Sequence, residues 1–170
     1  MQYPSSLTPI EKEIIALPSG KTAQIPKTRP IFDSWKGNLG NDNYGSKPVL
    51  CYKGKPFFAE LIILEFLKED GWNGVWVDTF RHKYRTSYWP NNEIVLPSKP
   101  EELLQSIYHR AGSTKGCWDV FCWKEDLYLF AESKRHDKDR IRDTQKRWLD
   151  AALVDGLPLT SFLLVEWSNK

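Results

Sequence analysis

The sequence predicts an α/β fold, a three-layer sandwich in which helices flank a central mixed β-sheet. From residue 57 onward, segments with helical spacing alternate with short β-branched and aromatic segments, in the order helix, strand, helix, strand, strand, helix, strand. The final strand is reached through a helix, which favours a crossover onto a parallel neighbour. A length of 170 residues predicts one core, since single domains commonly have this size.

Residues 1–55 have a different character and predict an irregular or β-structured arm packed on a main body of residues 56–170. The arm is rich in Pro, Gly, Asn and Ser and has no long periodic segment. Residues 14–17 form a short element that ends at a Pro18-Ser19-Gly20 turn. Residues 49–52 and 56–58 flank Lys53-Gly54, a pattern typical of a small hairpin.

The body contains three segments with helical signals. Residues 58–70 are largely apolar and precede Gly71, a natural helix stop. Pro100 opens a second helix that runs to about Arg110. Either Asp137 or Asp139 is placed to cap a third, which runs to about Val154. The intervening elements are a strand over 75–80, a loop over 84–98, a hairpin formed by GCWDVFCW and LYLFAESK, and a last strand over 159–167.

The hairpin brings two acidic residues together. If its turn is Glu125-Asp126, or all four residues of 124–127, the strand register places Asp119 directly opposite Glu132. Directly opposed residues have Cβ atoms roughly 4.5–5.5 Å apart. Residues of equal parity share a face of a strand, so Lys134 lies on the same face as Glu132.

This arrangement predicts a metal site for phosphodiester hydrolysis. Two carboxylates this close repel each other unless a proton or a cation lies between them. Oxygen ligands suit Mg²⁺ or Mn²⁺, and the carbonyl of Ser133 adds a third oxygen to Asp119 and Glu132. Lys134 is placed to position the attacking water or to stabilise charge on the phosphate. Taken singly, such acids more often cap turns or lie on exposed edges, so the matched set carries the prediction.

Two further residues are candidates for supporting the site. Gln145 lies in the apolar stripe of the third helix, where a polar group needs a partner. Glu60 is near the start of the first helix and is preferred over Glu65 for reaching the metal. A partner of the helix dipole is the alternative role for Glu60. Asp78 is interpreted as structural or as part of the rim.

The charge distribution favours a polyanionic partner. The net charge is only +2, but basic residues cluster around residues 81–85 and 134–147. An ordinary solvated helix face is the alternative for the second cluster. The candidate nucleic-acid contacts are Arg81, Lys83, Arg85, Arg135, Lys138 and Arg140.

At these positions the chain resembles the PD-(D/E)XK nuclease superfamily, and within it the VRR-NUC domain. The resemblance covers roughly residues 57 to 167 and departs at Trp118, where the family has a proline before the aspartate. The matched positions are Gly116, Asp119, Glu132, Lys134, Gln145 and the pair Trp148-Leu149.

The resemblance implies Mg²⁺- or Mn²⁺-dependent cleavage of DNA, in repair, restriction, or junction and flap processing. It implies that Asp119 and Glu132 are metal ligands, Lys134 the catalytic lysine, and Gln145 and Glu60 supporting residues. The alternative is a non-catalytic module with this fold that binds nucleic acid or protein. A separate DNA-targeting protein is a further expected partner, and a homodimer is expected if both strands are cut. No membrane-spanning or signal segment is predicted, so a cytoplasmic location is expected.

Overall fold

In a computed structural model that describes residues 3–38, 47–87 and 93–170, one mixed ten-stranded sheet is combined with three α-helices. The helices are α1 (Ala59–Glu69), α2 (Ser98–Ala111) and α3 (Asp143–Val154). The strands are β1 (Glu11–Ala16), β2 (Thr22–Thr28), β3 (Ile31–Ser34), β4 (Leu50–Tyr52), β5 (Lys55–Phe57), β6 (Asn73–Asp78), β7 (Lys83–Arg85), β8 (Val120–Lys124), β9 (Leu127–Arg135) and β10 (Phe162–Asn169).

The strand β10 lies inside the sheet and pairs with β9, β2 and β3. One edge pairs in parallel with β9, as the predicted crossover requires, and the other pairs in parallel first with β2 and then with β3. Arg29 and Pro30 separate β2 from β3. The strand order is β5-β4-β3-β10-β9-β8-β6-β7, with β2 beside β10 and β1 beside β2.

Helices cover both faces of the sheet, which confirms the predicted α/β class. Along β9 the side chains alternate: Leu129 and Ala131 pack with α1, whereas Phe130 packs with α2 and α3. Trp148 of α3 makes an edge contact with Phe130, with ring centroids 4.7 Å apart. None of the helices in the described ranges combines the length and the apolarity that crossing a bilayer requires.

The predicted arm is largely β-structure. It supplies β1 to β4 and the first residue of β5, and β2 and β3 are bonded directly to β10. Both of its predicted turns are present: β1 and β2 form a hairpin through residues 17–21, and β4 and β5 form one through Lys53-Gly54. Lys53 and Gly54 both have positive φ, at 49° and 72°, which suits a two-residue hairpin turn. The segment therefore extends the central sheet.

The third helix begins later than predicted, because neither Asp137 nor Asp139 caps it. Asp137 has a φ of 57°, and the Asp139 carboxylate accepts a hydrogen bond from the Arg135 N–H at 3.1 Å. Both residues therefore belong to a turn after β9, and α3 starts at Asp143.

Smaller differences concern the ends of other elements. The second helix starts at Ser98, and Gly71 follows the first helix with a φ of 84°. The last strand starts at Phe162 after a short 3₁₀ turn over Leu159–Ser161. The predicted loop over 84–98 contains part of β7, and its residues 88–92 lie outside the described residues.

Candidate active site

The hairpin of β8 and β9 has the predicted register. Its ladder runs from Val120 opposite Ala131 to Lys124 opposite Leu127, so Glu125 and Asp126 form the turn. Asp119 lies one residue beyond the ladder, in line with Glu132 on the neighbouring strand. The sequence spacing therefore identified the opposed pair correctly.

Hydrogen bonds join Asp119 to the part of β9 that lies just beyond the ladder with β8. The Asp119 N–H donates to Oε2 of Glu132 at 3.3 Å, and the Ser133 N–H donates to Oδ2 of Asp119 at 3.0 Å. Because the ladder with β8 has ended, the side chain of Asp119 takes the place of a strand partner. In an extended residue the N–H and C=O point to the same side, so the Ser133 carbonyl also faces Asp119.

Glu132 is buried behind Asp119, with 1% of its surface exposed. Lys134 Nζ lies 2.7 Å from its Oε1, and the side-chain amide of Gln145 donates to the same oxygen. The Gln145 carbonyl oxygen accepts from Lys134 Nζ at 3.1 Å and from the Arg142 N–H at 3.0 Å. Gln145 thus fixes both the acid and the lysine from the first turn of α3.

A glycine allows α3 to approach this closely. Gly116 has a φ of 93°, and a Cβ built on it would lie 2.2 Å from the carbonyl oxygen of Thr144. Any other side chain would push the segment before Asp119 away from the start of α3. The glycine that the sequence pattern singled out is therefore needed for close backbone packing.

Glu60 reaches the site from α1 and brings a lysine that the sequence did not suggest. Its carboxylate forms an ion pair with Lys47, whose Nζ also lies 5.1 Å from the ring centre of Trp76 and 5.5 Å from that of Phe58. Glu65, the less favoured candidate, pairs instead with Lys68 at 2.9 Å. No sequence pattern indicates Lys47, because its ion pair with Glu60 forms only when the chain is folded.

Asp119 and Glu132 lie in an environment that disfavours their ionised forms. Burial and the neighbouring carboxylates of Glu132 and Glu60 raise the pKa of Asp119 well above its usual value, although Lys47 and Lys134 oppose the change. Burial also raises the pKa of Glu132, with Lys134 acting against it. Burial lowers the pKa of Lys47, but Glu60 and Asp119 outweigh it and the net shift is upward. A divalent cation would relieve the repulsion between the acids.

Asp119 lies where two clefts meet. One has a volume of about 750 Å³ and the other about 350 Å³, and both are lined by Thr79, Phe80, Asp119 and Arg142. A third cleft of about 410 Å³ lies between Glu60, Ser133 and Lys47. Asp119 is therefore reached from the surface, whereas Glu132 is buried and lines none of these three clefts.

Of the predicted basic contacts, Arg81 lines the 350 Å³ cleft, and Arg135 and Lys138 line the 410 Å³ cleft. Arg140 is exposed in a separate cleft that Lys134 also lines. Lys83 pairs with Glu93 at 3.0 Å.

Arg85 is a correction to the predicted contacts. It is 3% exposed, and its guanidinium lies 3.0 Å from Asp78, which is also buried. The prediction placed Arg85 on the surface because it belongs to a basic run. The β6–β7 pairing instead turns it inward towards an opposite charge.

The donors present fit a cation that keeps part of its water shell. Among the described residues, no three His, Cys, Asp or Glu side chains converge closely enough to bind a metal on their own. Asp119, Glu132 and the Ser133 carbonyl are the available oxygens. Mg²⁺ is commonly bound through one or two carboxylates and several waters, so this donor set suits it.

Comparison of the chain with protein-family models, with curated proteins and with solved structures found no match.

Proposed function

We propose that this chain is a Mg²⁺- or Mn²⁺-dependent endonuclease that hydrolyses phosphodiester bonds in DNA, with a site of the PD-(D/E)XK type that resembles VRR-NUC. One observation carries the proposal. Asp119 lies opposite Glu132, with its N–H donating to the Glu132 carboxylate at 3.3 Å, and Lys134 Nζ lies 2.7 Å from Glu132 on the same strand face. Asp119, together with Gln145, lies at the wall of an open cleft.

A structural role explains this arrangement poorly. A buried carboxylate is costly unless it is paired or binds a metal, and a second acid beside it adds repulsion. Lys134 pairs with Glu132, but the raised pKa of Asp119 shows that the cations present do not offset its burial and its acidic neighbours. Perturbed acids at a cleft are typical of functional sites.

In the proposed hydrolysis, the metal ion, Lys134 and Gln145 have separate roles. A bound divalent cation supplies positive charge that stabilises the phosphate as negative charge develops on it. Lys134 Nζ has three protons, and Glu132 and Gln145 accept two of them. The third is available to orient a water or a phosphate oxygen on the side of the cleft that Lys134 shares with Arg140. Hydrogen bonds between Gln145 and both residues keep Lys134 and Glu132 in position for that role.

Basic residues around the clefts support a DNA substrate. Arg81 and Arg142 flank Asp119 on one side, and Arg135 and Lys138 line the cleft beyond Ser133. Lysine and arginine at such positions bind backbone phosphates and set the register of the strand, without reading sequence. Sequence or structure specificity would then come from another surface or from a DNA-targeting partner.

A non-catalytic binding module is the second candidate, and one observation favours it. Glu132 is already satisfied by Lys134 and Gln145 without any metal ion. Calorimetric titration with Mn²⁺ separates the two functions. The nuclease predicts binding that Asp119→Ala abolishes, whereas a binding module predicts no binding or binding that the substitution leaves unchanged.

The direct test is cleavage of plasmid, single-stranded, flapped and branched DNA with Mg²⁺ or Mn²⁺. Wild type should cleave, and Glu132→Ala and Lys134→Ala should lose at least a hundredfold in rate. Lys99→Ala and Glu102→Ala, on the remote helix α2, are matched controls that should cleave like wild type. Equal activity of wild type and the site variants would reject the assignment. Conversion of nicked to linear plasmid would report the cutting of both strands and support a homodimer.

A further inference from the structure

The turn that follows β6 carries an unusual aromatic side chain. Phe80 is 88% exposed, the most exposed of the large hydrophobic side chains in the described ranges and the only aromatic ring among those that are strongly exposed. A single exposed apolar residue is ordinary on a protein surface. The position of this ring, not its exposure alone, makes it informative.

Phe80 lies at the rim shared by the two clefts that open on Asp119. The same rim includes Arg142, and the smaller cleft adds Lys47 and Arg81. An aromatic ring bordered by cations beside the reacting acids is the combination that binds unpaired nucleotides. The cations follow the phosphates, and the ring stacks on a base.

The base of the turn is fixed, although its tip is in solvent. The Arg81 N–H donates to Oδ1 of Asp78 at 3.1 Å, and Arg85 holds the other carboxylate oxygen at 3.0 Å. The Thr79 N–H donates to the Val77 carbonyl at 3.0 Å. Since Asp78 and Arg85 are both buried, the ring stands on a rigid support, which lowers the entropic cost of stacking.

We infer that Phe80 is a base-stacking residue and that the substrate is DNA with an unstacked base next to the scissile phosphate, as in a single strand, a flap or a branch. The inference rests on the proposed nuclease function and specifies its substrate class. In an intact duplex the bases are stacked on one another, so their faces are not available to the ring. Duplex DNA therefore gains only the phosphate contacts.

The test compares Phe80→Leu, which keeps an apolar side chain, with Phe80→Trp, which keeps an aromatic face. Affinity is measured by fluorescence anisotropy for single-stranded, flapped and duplex DNA of one sequence, on an Asp119→Asn background that leaves the DNA intact. Cleavage of the same substrates is measured without that substitution. Ile10→Ala, an exposed apolar residue away from the clefts, is the control. Crosslinking of 5-iododeoxyuridine at the flap junction, located by mass spectrometry, reports the stacking partner directly.

Phe80→Leu should weaken binding to single-stranded and flapped DNA roughly tenfold, as expected for the loss of one base–aromatic stack. Its affinity for duplex should change less than twofold, Phe80→Trp should bind like the parent, and the crosslink should map to residue 80. The inference is overturned if Phe80→Leu binds all three DNAs as tightly as the parent does. It is also overturned if the affinity for duplex falls as much as the affinity for single-stranded DNA, or if the crosslink maps to another residue.

The two proposals fail in different ways. If cleavage depends on Asp119 but not on Phe80, the stacking role is overturned and the nuclease function is supported. Phe80-dependent binding without any Asp119-dependent cleavage leaves the stacking site and overturns the nuclease. The absence of binding to every DNA overturns both.

Discussion

Lys134 and Glu132 form a buried ion pair: Nζ of the lysine lies 2.7 Å from Oε1 of the glutamate, and their side chains are 7% and 1% exposed. The two residues stand two positions apart on β9, so the alternation of the strand puts both on one face. Removing either partner leaves an uncompensated charge inside the protein.

We expect Lys134→Met to lower the free energy of unfolding of the metal-free protein by about 3 kcal/mol at neutral pH, because Glu132 is then buried without its cation. The double variant Glu132→Gln/Lys134→Met should recover most of that loss. Urea denaturation followed by circular dichroism measures both. A double variant as unstable as the single one would attribute the loss to packing of the lysine stem.

Asp119→Asn should stabilise the metal-free protein at neutral pH. The folded-state pKa of Asp119 is raised by burial and by Glu132 and Glu60. Its contribution to stability is therefore fully present below the unfolded pKa of about 3.9 and is lost as pH rises through the folded value. The advantage of asparagine should grow from acidic to neutral pH, as measured by unfolding across a pH series.

The same substitution should abolish stabilisation by Mn²⁺. At a free concentration a hundredfold above its Kd, a cation that binds only the folded state adds about 2.7 kcal/mol. Wild type should show this gain in thermal denaturation with increasing Mn²⁺, and Asp119→Asn should not. An equal gain in both proteins would place the cation elsewhere.

Lys47→Met should weaken DNA binding and lower the slope of log affinity against log salt by about 1, because one phosphate contact is lost. Lys53 is a matched control: it pairs with Glu69 and lies 5.4 Å from the ring centre of Tyr52, in the same chemical setting but on an exposed hairpin. Lys53→Met should bind like wild type. Anisotropy titrations at several salt concentrations measure both slopes.

Gly116→Ala should lower the free energy of unfolding by about 3 kcal/mol, since its Cβ would collide with the Thr144 carbonyl and its φ is positive. Gly20→Ala is the control, because Gly20 has a similar φ of 83° but no atom within 4 Å of a Cβ. It should cost about 1 kcal/mol. Equal losses in denaturant unfolding would show that the backbone conformation alone matters at residue 116.

The sequence was sufficient for features whose determinants lie close together along the chain. The hairpin register follows from a two-residue turn and the alternation of side chains, which is why the opposition of Asp119 and Glu132 was predictable. Gln145 was predictable because a polar residue interrupted an apolar helical stripe. Both patterns depend on fixed geometric periods.

Features that depend on distant segments were not predictable in this way. No local pattern indicates that Lys47 meets Glu60, or that β2 and β3 pair with β10. Arg85 was misplaced because its partner Asp78 becomes a neighbour only when β6 and β7 pair. The start of α3 was misplaced because the Asp139 carboxylate binds Arg135 rather than the helix. In each case competition between partners decided the outcome.

The central place of β10 has a consequence for biosynthesis. Strands β2 and β3 leave the ribosome long before β10, yet β10 is the strand that joins them to β9. Until it arrives, one edge of β9, and with it the backbone beside Glu132, Ser133 and Lys134, has no neighbour. Such non-local pairing makes folding slow. The nascent chain should thus complete the sheet beside Glu132, Ser133 and Lys134 only after residues 162–169 have emerged, although the hairpin that opposes Asp119 to Glu132 is already present in the chain before them.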